Sequence, residues 1–436
     1  MRSLSPVGSM LAVLLALAGC GDDDVPSVPT DAGPRDAQVR DAARADGGGD
    51  DEDGSAPDED GGAPDDGGTE DDAGPIDGGT LPCTGDEVTL ADLSEIRNDR
   101  VALAAGASAW LAAWVGRVDT YTELQWTIVP ASGDPPAPRS TMLRSLLGGP
   151  AAAPRGTGYV VGYYANPEAD YEVYALPVGA NGAPEAASAW RLTTHPGRDD
   201  RLALVASDGG LVAAWNETAP GGASSAFLTR WIDATGTPQG TAHPLATGDE
   251  VPLTSVLAPA TTGPYAAWSR ESGSDSDVVA VPLDARGVSS AGASRIVSAE
   301  RTAEGSLDLA TEDDDAVVVF TAVAGGGQRQ VRVRALDRLG TLSTERVVGT
   351  GTEPSIARFG GTWAVAYRAP RAGGGADLTL AFLDTTLLPR STVPLGPATT
   401  DGSLVMRATG DGRLAIARVD VEGARTRVLL TRVQCD

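Results

Sequence analysis

The chain contains no lysine; apart from two histidines, all of its 33 basic side chains are arginine. Histidine, cysteine, methionine and phenylalanine number only 2, 3, 4 and 4 among 436 residues. So few histidines and cysteines exclude the clustered ligand spacings of zinc fingers and metalloproteases. His195 and His243 each precede a proline, and neither has a Cys, His or carboxylate at ligand spacing along the chain. No metal and no cofactor are therefore expected. Nucleophile elbow, phosphate loop and HExxH are all missing, so no catalytic residue can be named and the chain reads as a non-enzyme. Carboxylate pairs contributed by distant segments lie beyond such a motif search. Net charge is −27, and residues 83–436 alone carry 40 acidic side chains against 29 arginines, which argues against a nucleic-acid partner. No stretch of eighteen apolar residues is present to span a bilayer.

At the N-terminus there is an apolar run, MLAVLLALAG from Met10 to Gly19, of the length of a secretory signal's central region. It ends in Leu17-Ala18-Gly19-Cys20, which resembles the lipobox of bacterial lipoproteins. That resemblance implies cleavage after residue 19 and lipidation of Cys20, with several acyl chains giving stable membrane anchoring. Gly21, where an aspartate would mark inner-membrane retention in some bacteria, favours the outer membrane of the cell envelope. A soluble secreted protein with a chance cysteine is the alternative.

Residues 21–82 hold 20 Asp or Glu against 3 Arg and almost no residue worth burying. Such a segment cannot offset its ordering entropy and is expected to be a disordered linker. As a flexible coil its 62 residues reach about 45 Å, and carboxylate repulsion extends them further. Asp50–Gly54 and Asp58–Gly61 meet calcium-loop spacing only in fragments, so a solvated spacer with at most weak cation association is expected.

Beyond residue 98 one pattern returns seven times: WLAAW, YVVGY, LVAAW, YAAW, AVVVF, WAVAY and LAIAR. These end at Trp114, Tyr163, Trp215, Trp268, Phe320, Tyr367 and Arg418, spaced by 49, 52, 53, 52, 47 and 51 residues. Most copies also hold an upstream apolar segment, a third strand and a weaker fourth, with D-x-x-G turns such as Asp233–Gly236, Asp284–Gly287 and Asp337–Gly340. Seven units of four antiparallel strands resemble the blades of a β-propeller. An all-β, seven-bladed propeller over residues 83–436 is therefore expected, after a signal at 1–19 and a lipidated linker at 20–82. Asp-box, WD-repeat and kelch signatures are missing.

The seventh copy stops at its third strand, RVLLTRVQCD, while CTGDEVTLAD from Cys83 is a spare strand ahead of the first. The spare strand can complete the last blade and close the ring. Cys83 and Cys435 then sit at neighbouring hairpin ends, where an oxidising compartment permits a disulfide; two free thiols are the alternative. The repeated aromatics fit strands buried between blades better than a ring of sugar platforms. Arg418 breaks their pattern and either faces solvent or pairs with a carboxylate.

For function, the residues just beyond the anchors, Asn216, Glu217, Arg270, Glu271 and Arg368, are candidates to converge near the central channel. The ligand itself is unknown. A tethered module that binds an extracytoplasmic protein or glycan is the first reading, and a glycosidase-like hydrolase of an envelope polymer the alternative. The whole resembles Asp/Gly-linker lipoproteins of GC-rich Gram-negative bacteria, a likeness that implies an address and a shape without an activity.

Overall fold

The computed structural model describes residues 83–435, apart from 94–99, 119–120, 144–147, 167–169, 186–188, 223, 249–251, 253, 273–274, 291, 299–305 and 424. The signal, the lipobox with Cys20 and the acidic linker lie outside the described residues. Seven four-stranded antiparallel sheets follow one another along the chain. We number them blades 1 to 7, with innermost strands Val101–Ala105, Ala151–Arg155, Arg198–Ser207, Thr254–Ala258, Leu307–Glu312, Thr352–Phe359 and Leu404–Ala408. Each innermost strand touches that of the next blade, and the seventh touches the first, so the ring is closed.

The repeated strand is second from the axis in every blade. In blade 3 it spans Gly210–Thr218, and Leu211 to Trp215 are all buried. Its two faces serve two neighbours. Leu211, Ala213 and Trp215 pack with Val160 and Tyr164 of blade 2, whereas Val212 and Ala214 pack with Leu257, Ala266 and Trp268 of blade 4. Burial on both faces is why the strand reads as a near-continuous apolar run, with alanine where sheets approach closely. Seven such cores, one per junction, carry the ring. The six anchoring aromatics are at most 4% exposed, each turned toward the preceding blade, so they are core residues as expected.

Closure follows the sequence reading. Cys83–Leu93 is the outermost strand of blade 7 and pairs antiparallel with Arg425–Cys435, placing Cys83 opposite Cys435. Their sulfurs are bonded across a Cα–Cα distance of 4.1 Å. The D-x-x-G turns join third to fourth strands. In the first of them Asp233 Oδ1 accepts from the Thr235 and Thr237 amides, and Gly236 takes φ 86° where any Cβ would meet the Trp190 ring.

Of the two readings of Arg418, pairing with carboxylates is the one observed. The side chain is 2% exposed and donates to Asp420 Oδ2 at 3.1 Å, Thr431 Oγ1 at 3.0 Å and Glu87 Oε2 at 2.5 Å. On the other side of Asp420, Arg368 Nη1 reaches Oδ1 at 3.0 Å, and its Nη2 donates to the Val419 carbonyl at 2.8 Å. Asp420 is held below its ordinary carboxylate range: burial pushes its pKa up, but Arg418 and Arg368 together outweigh that.

Candidate functional site

A polar cavity of about 670 Å³ lies at the axis, lined by the innermost strands of all seven blades and the chain just before them. Its charged walls are uneven. Asp308 of blade 5, Glu353 of blade 6, and Asp401 just ahead of blade 7 supply the acids, and Arg100, Arg329 and Arg407 the arginines.

Asp308 is fully engaged. Its Oδ2 accepts from Arg407 Nη1 at 2.8 Å, from Ile356 N at 3.3 Å and from the Ser355 hydroxyl, while Oδ1 accepts from Leu309 N at 2.8 Å. Ser355 Oγ in turn accepts from Met406 N at 2.8 Å. This buried knot ties blades 5, 6 and 7 across the axis. Of the cavity's two other acids, Glu353 is half-buried and Asp401 exposed.

Two of the strands that line the cavity carry backbone irregularities. Between Thr352 and Ser355 the register with the second strand of blade 6, Thr362–Pro370, slips by one residue, and Glu353 takes φ 51°. The same slip occurs in blade 3 between Asp200 and Ala203, with Arg201 at φ 55°. A positive φ at a bulky side chain is costly and gathers where geometry serves a site.

The residues beyond the anchors do not converge on the channel. Asn216 is buried and donates to the Pro252 carbonyl at 2.9 Å, Arg270 pairs with Asp277 at 3.3 Å, and Arg368 is the clamp on Asp420. The side chain of Glu271 lies outside the described residues. The reason is positional: a second strand is separated from the axis by the first, so its residues face neighbouring blades.

Glu217 meets a different cluster at the junction of blades 2 and 3. His195 Nε2 lies 3.8 Å from Glu217 Oε1, and Asp199 stands opposite Glu217 in the strand register. One ligand atom from each of the three lies within 4.8 Å of the others. Chain spacing gave His195 no carboxylate partner; the fold supplies two. Asp199 is fully buried, and its pKa is pushed up to about 7. Burial is the main cause, and the negative charges of Glu172, Glu217 and Asp200 add to it.

No family model matches the sequence, and no curated protein matches it. Solved structures match in shape. The subtype N11 neuraminidase-like protein of A/flat-faced bat/Peru/033/2010 is 11% identical, with a TM-score of 0.43 over 65% of this chain and 87% of that one. An alpha-L-arabinofuranosidase from Fusarium graminearum, in complex with an iminosugar inhibitor, is 11% identical, with a TM-score of 0.42 over 66% and 92%. A thermostable family-43 glycoside hydrolase is 9% identical, with a TM-score of 0.35 over 66% and 91%. These are likenesses of fold. They correct one expectation nonetheless: the lack of linear motifs led to a non-enzyme reading, yet structures of similar fold include two glycosidases. Titratable groups gathered from separate strands, as at both clusters here, leave no linear motif.

The aromatic anchors mark the second strand of each blade, whereas Asp308, Glu353 and Asp401 sit at or just before the first, in SLDLA, TEPSIA and TDGSLVM, so the repeated pattern does not point to them.

Proposed function

We propose that the chain is a cell-envelope protein, anchored to the membrane through Cys20 and held off it by the acidic linker, whose propeller hydrolyses a glycan seated in the axial cavity. The observation that carries this reading is the cavity's acid set, drawn from or just ahead of three successive blades. Glycoside cleavage needs two carboxyl groups flanking one bond, and Glu353 and Asp401 both line the cavity, beside an Asp308 that is held by Arg407. The volume is that of a ligand site, within about 300–1,000 Å³. Exposed Arg100 and Arg329 at its wall suit a hydroxyl-rich or anionic sugar.

The test is a panel of envelope and extracellular polysaccharides incubated with the full chain, reading reducing-end release and binding in parallel. Glu353→Gln and Asp401→Asn are each expected to lower release by roughly 10²–10⁴-fold with binding retained. Tight binding without release from any polymer would make the propeller a binding module for a glycan. Release unaffected by either substitution would move the chemistry away from the axis.

A further inference from the structure

The cluster between blades 2 and 3 contains a carboxylate that no described residue hydrogen-bonds. Asp199 is fully buried, and neither of its oxygens has a hydrogen-bond partner among the described residues. Thr193 lies beside it, but its hydroxyl donates to Glu172. The nearby guanidinium groups already have carboxylate partners: Arg191 pairs with Glu172 at 2.7 Å and Arg198 with Asp200 at 2.6 Å. His195 Nδ1 is likewise buried without a partner. Buried carboxylates are ordinarily paired, hydrogen-bonded or bound to a metal.

We propose that His195, Asp199 and Glu217 bind a divalent metal ion of the zinc class, with water completing its coordination. The donor set selects the metal. An imidazole nitrogen is a poor ligand for calcium or magnesium, which prefer all-oxygen shells, whereas one imidazole with two carboxylates suits zinc and its neighbours. Tetrahedral ligands about 2.1 Å from zinc lie about 3.4 Å apart, and His195 and Glu217 are already at 3.8 Å. The widest separation, 4.8 Å, closes by rotating those two side chains, which are 41% and 26% exposed, toward the fixed Asp199. Glu172 and Thr193 stand behind Asp199 as an outer layer. Because His195 belongs to the connection between the two blades, the ion would fasten that connection to blade 3.

The experiment uses the full chain, stripped with a chelator and titrated with zinc or calcium by calorimetry. One tight zinc site per chain is expected above a weak background from the linker acids, with no comparable calcium site. His195→Ala and Glu217→Gln are each expected to weaken it at least ~10-fold, and Asp199→Asn to abolish it. Cobalt substitution should give the intense visible bands of a tetrahedral site in the wild type and lose them in His195→Ala. Zinc should also raise the melting temperature of the wild type but not of His195→Ala, whose metal-free melting matches the wild type's because the side chain is partly exposed. Undiminished tight binding in His195→Ala and Glu217→Gln would place the zinc elsewhere and overturn the proposal. So would equal affinity for calcium, or no tight site at all.

Discussion

At the junction of blades 6 and 7, Arg368 and Arg418 enclose Asp420, and at the junction of blades 2 and 3, Asp199 is buried with carboxylates around it and, among the described residues, no ion-pair partner. Both sites place an aspartate among packed strands, but they shift it in opposite directions. Asp420 is held below the usual carboxylate range and Asp199 is pushed up to about 7. The difference separates two uses of buried charge. A paired network fixes one arrangement of blades 6 and 7 at their seam, where an arginine has taken the aromatic's place. An unanswered carboxylate costs stability in the isolated chain and marks a position kept for a ligand.

The largest effect expected from this contrast is at the paired site. Arg368→Ala leaves Asp420 buried with a single arginine and should lower unfolding free energy by about 3–5 kcal/mol in denaturant titrations at neutral pH. A loss under about 1 kcal/mol would mean that the network does not hold the seam. At the unpaired site the sign reverses. In metal-free protein at pH 8, Asp199→Asn should raise stability by on the order of 2 kcal/mol, since it removes a charge that burial disfavours. The pH profile gives the smaller, sharper contrast. A raised folded pKa contributes stability that is full below the unfolded value near 3.8 and is lost as pH rises through about 7, so metal-free wild type should weaken over that interval. Asp420, with its lowered pKa, contributes above 3.8 and loses that contribution as pH falls through its folded value. Melting curves between pH 4 and 8 that are flat in the wild type, or equally sloped in Asp199→Asn, would remove the basis of the comparison.

How much of this was legible in the sequence follows from where each interaction lies along the chain. The anchors announced themselves because second strands are buried on both faces, so their composition repeats with the blades. The closing strand was legible from a count of strands and the positions of Cys83 and Cys435. The axial knot was not, since Asp308 and Arg407 are 99 residues apart and meet only because the innermost strands of three blades bring them together. The Asp199 cluster was hidden by one residue. Counting back from the Asp208-Gly209 turn would set Asp199 opposite Thr218, but the slip between Asp200 and Ala203 sets it opposite Glu217 instead.

The first strand, Cys83–Leu93, completes blade 7 by pairing with the last, Arg425–Cys435, and a disulfide joins the two. Digestion of the full chain without reduction, followed by mass spectrometry, tests this directly. The closed ring predicts one linked peptide pair containing Cys83 and Cys435, with Cys20 in neither and carrying lipid. Free thiols at 83 and 435, or either of them bridged to Cys20, would contradict it.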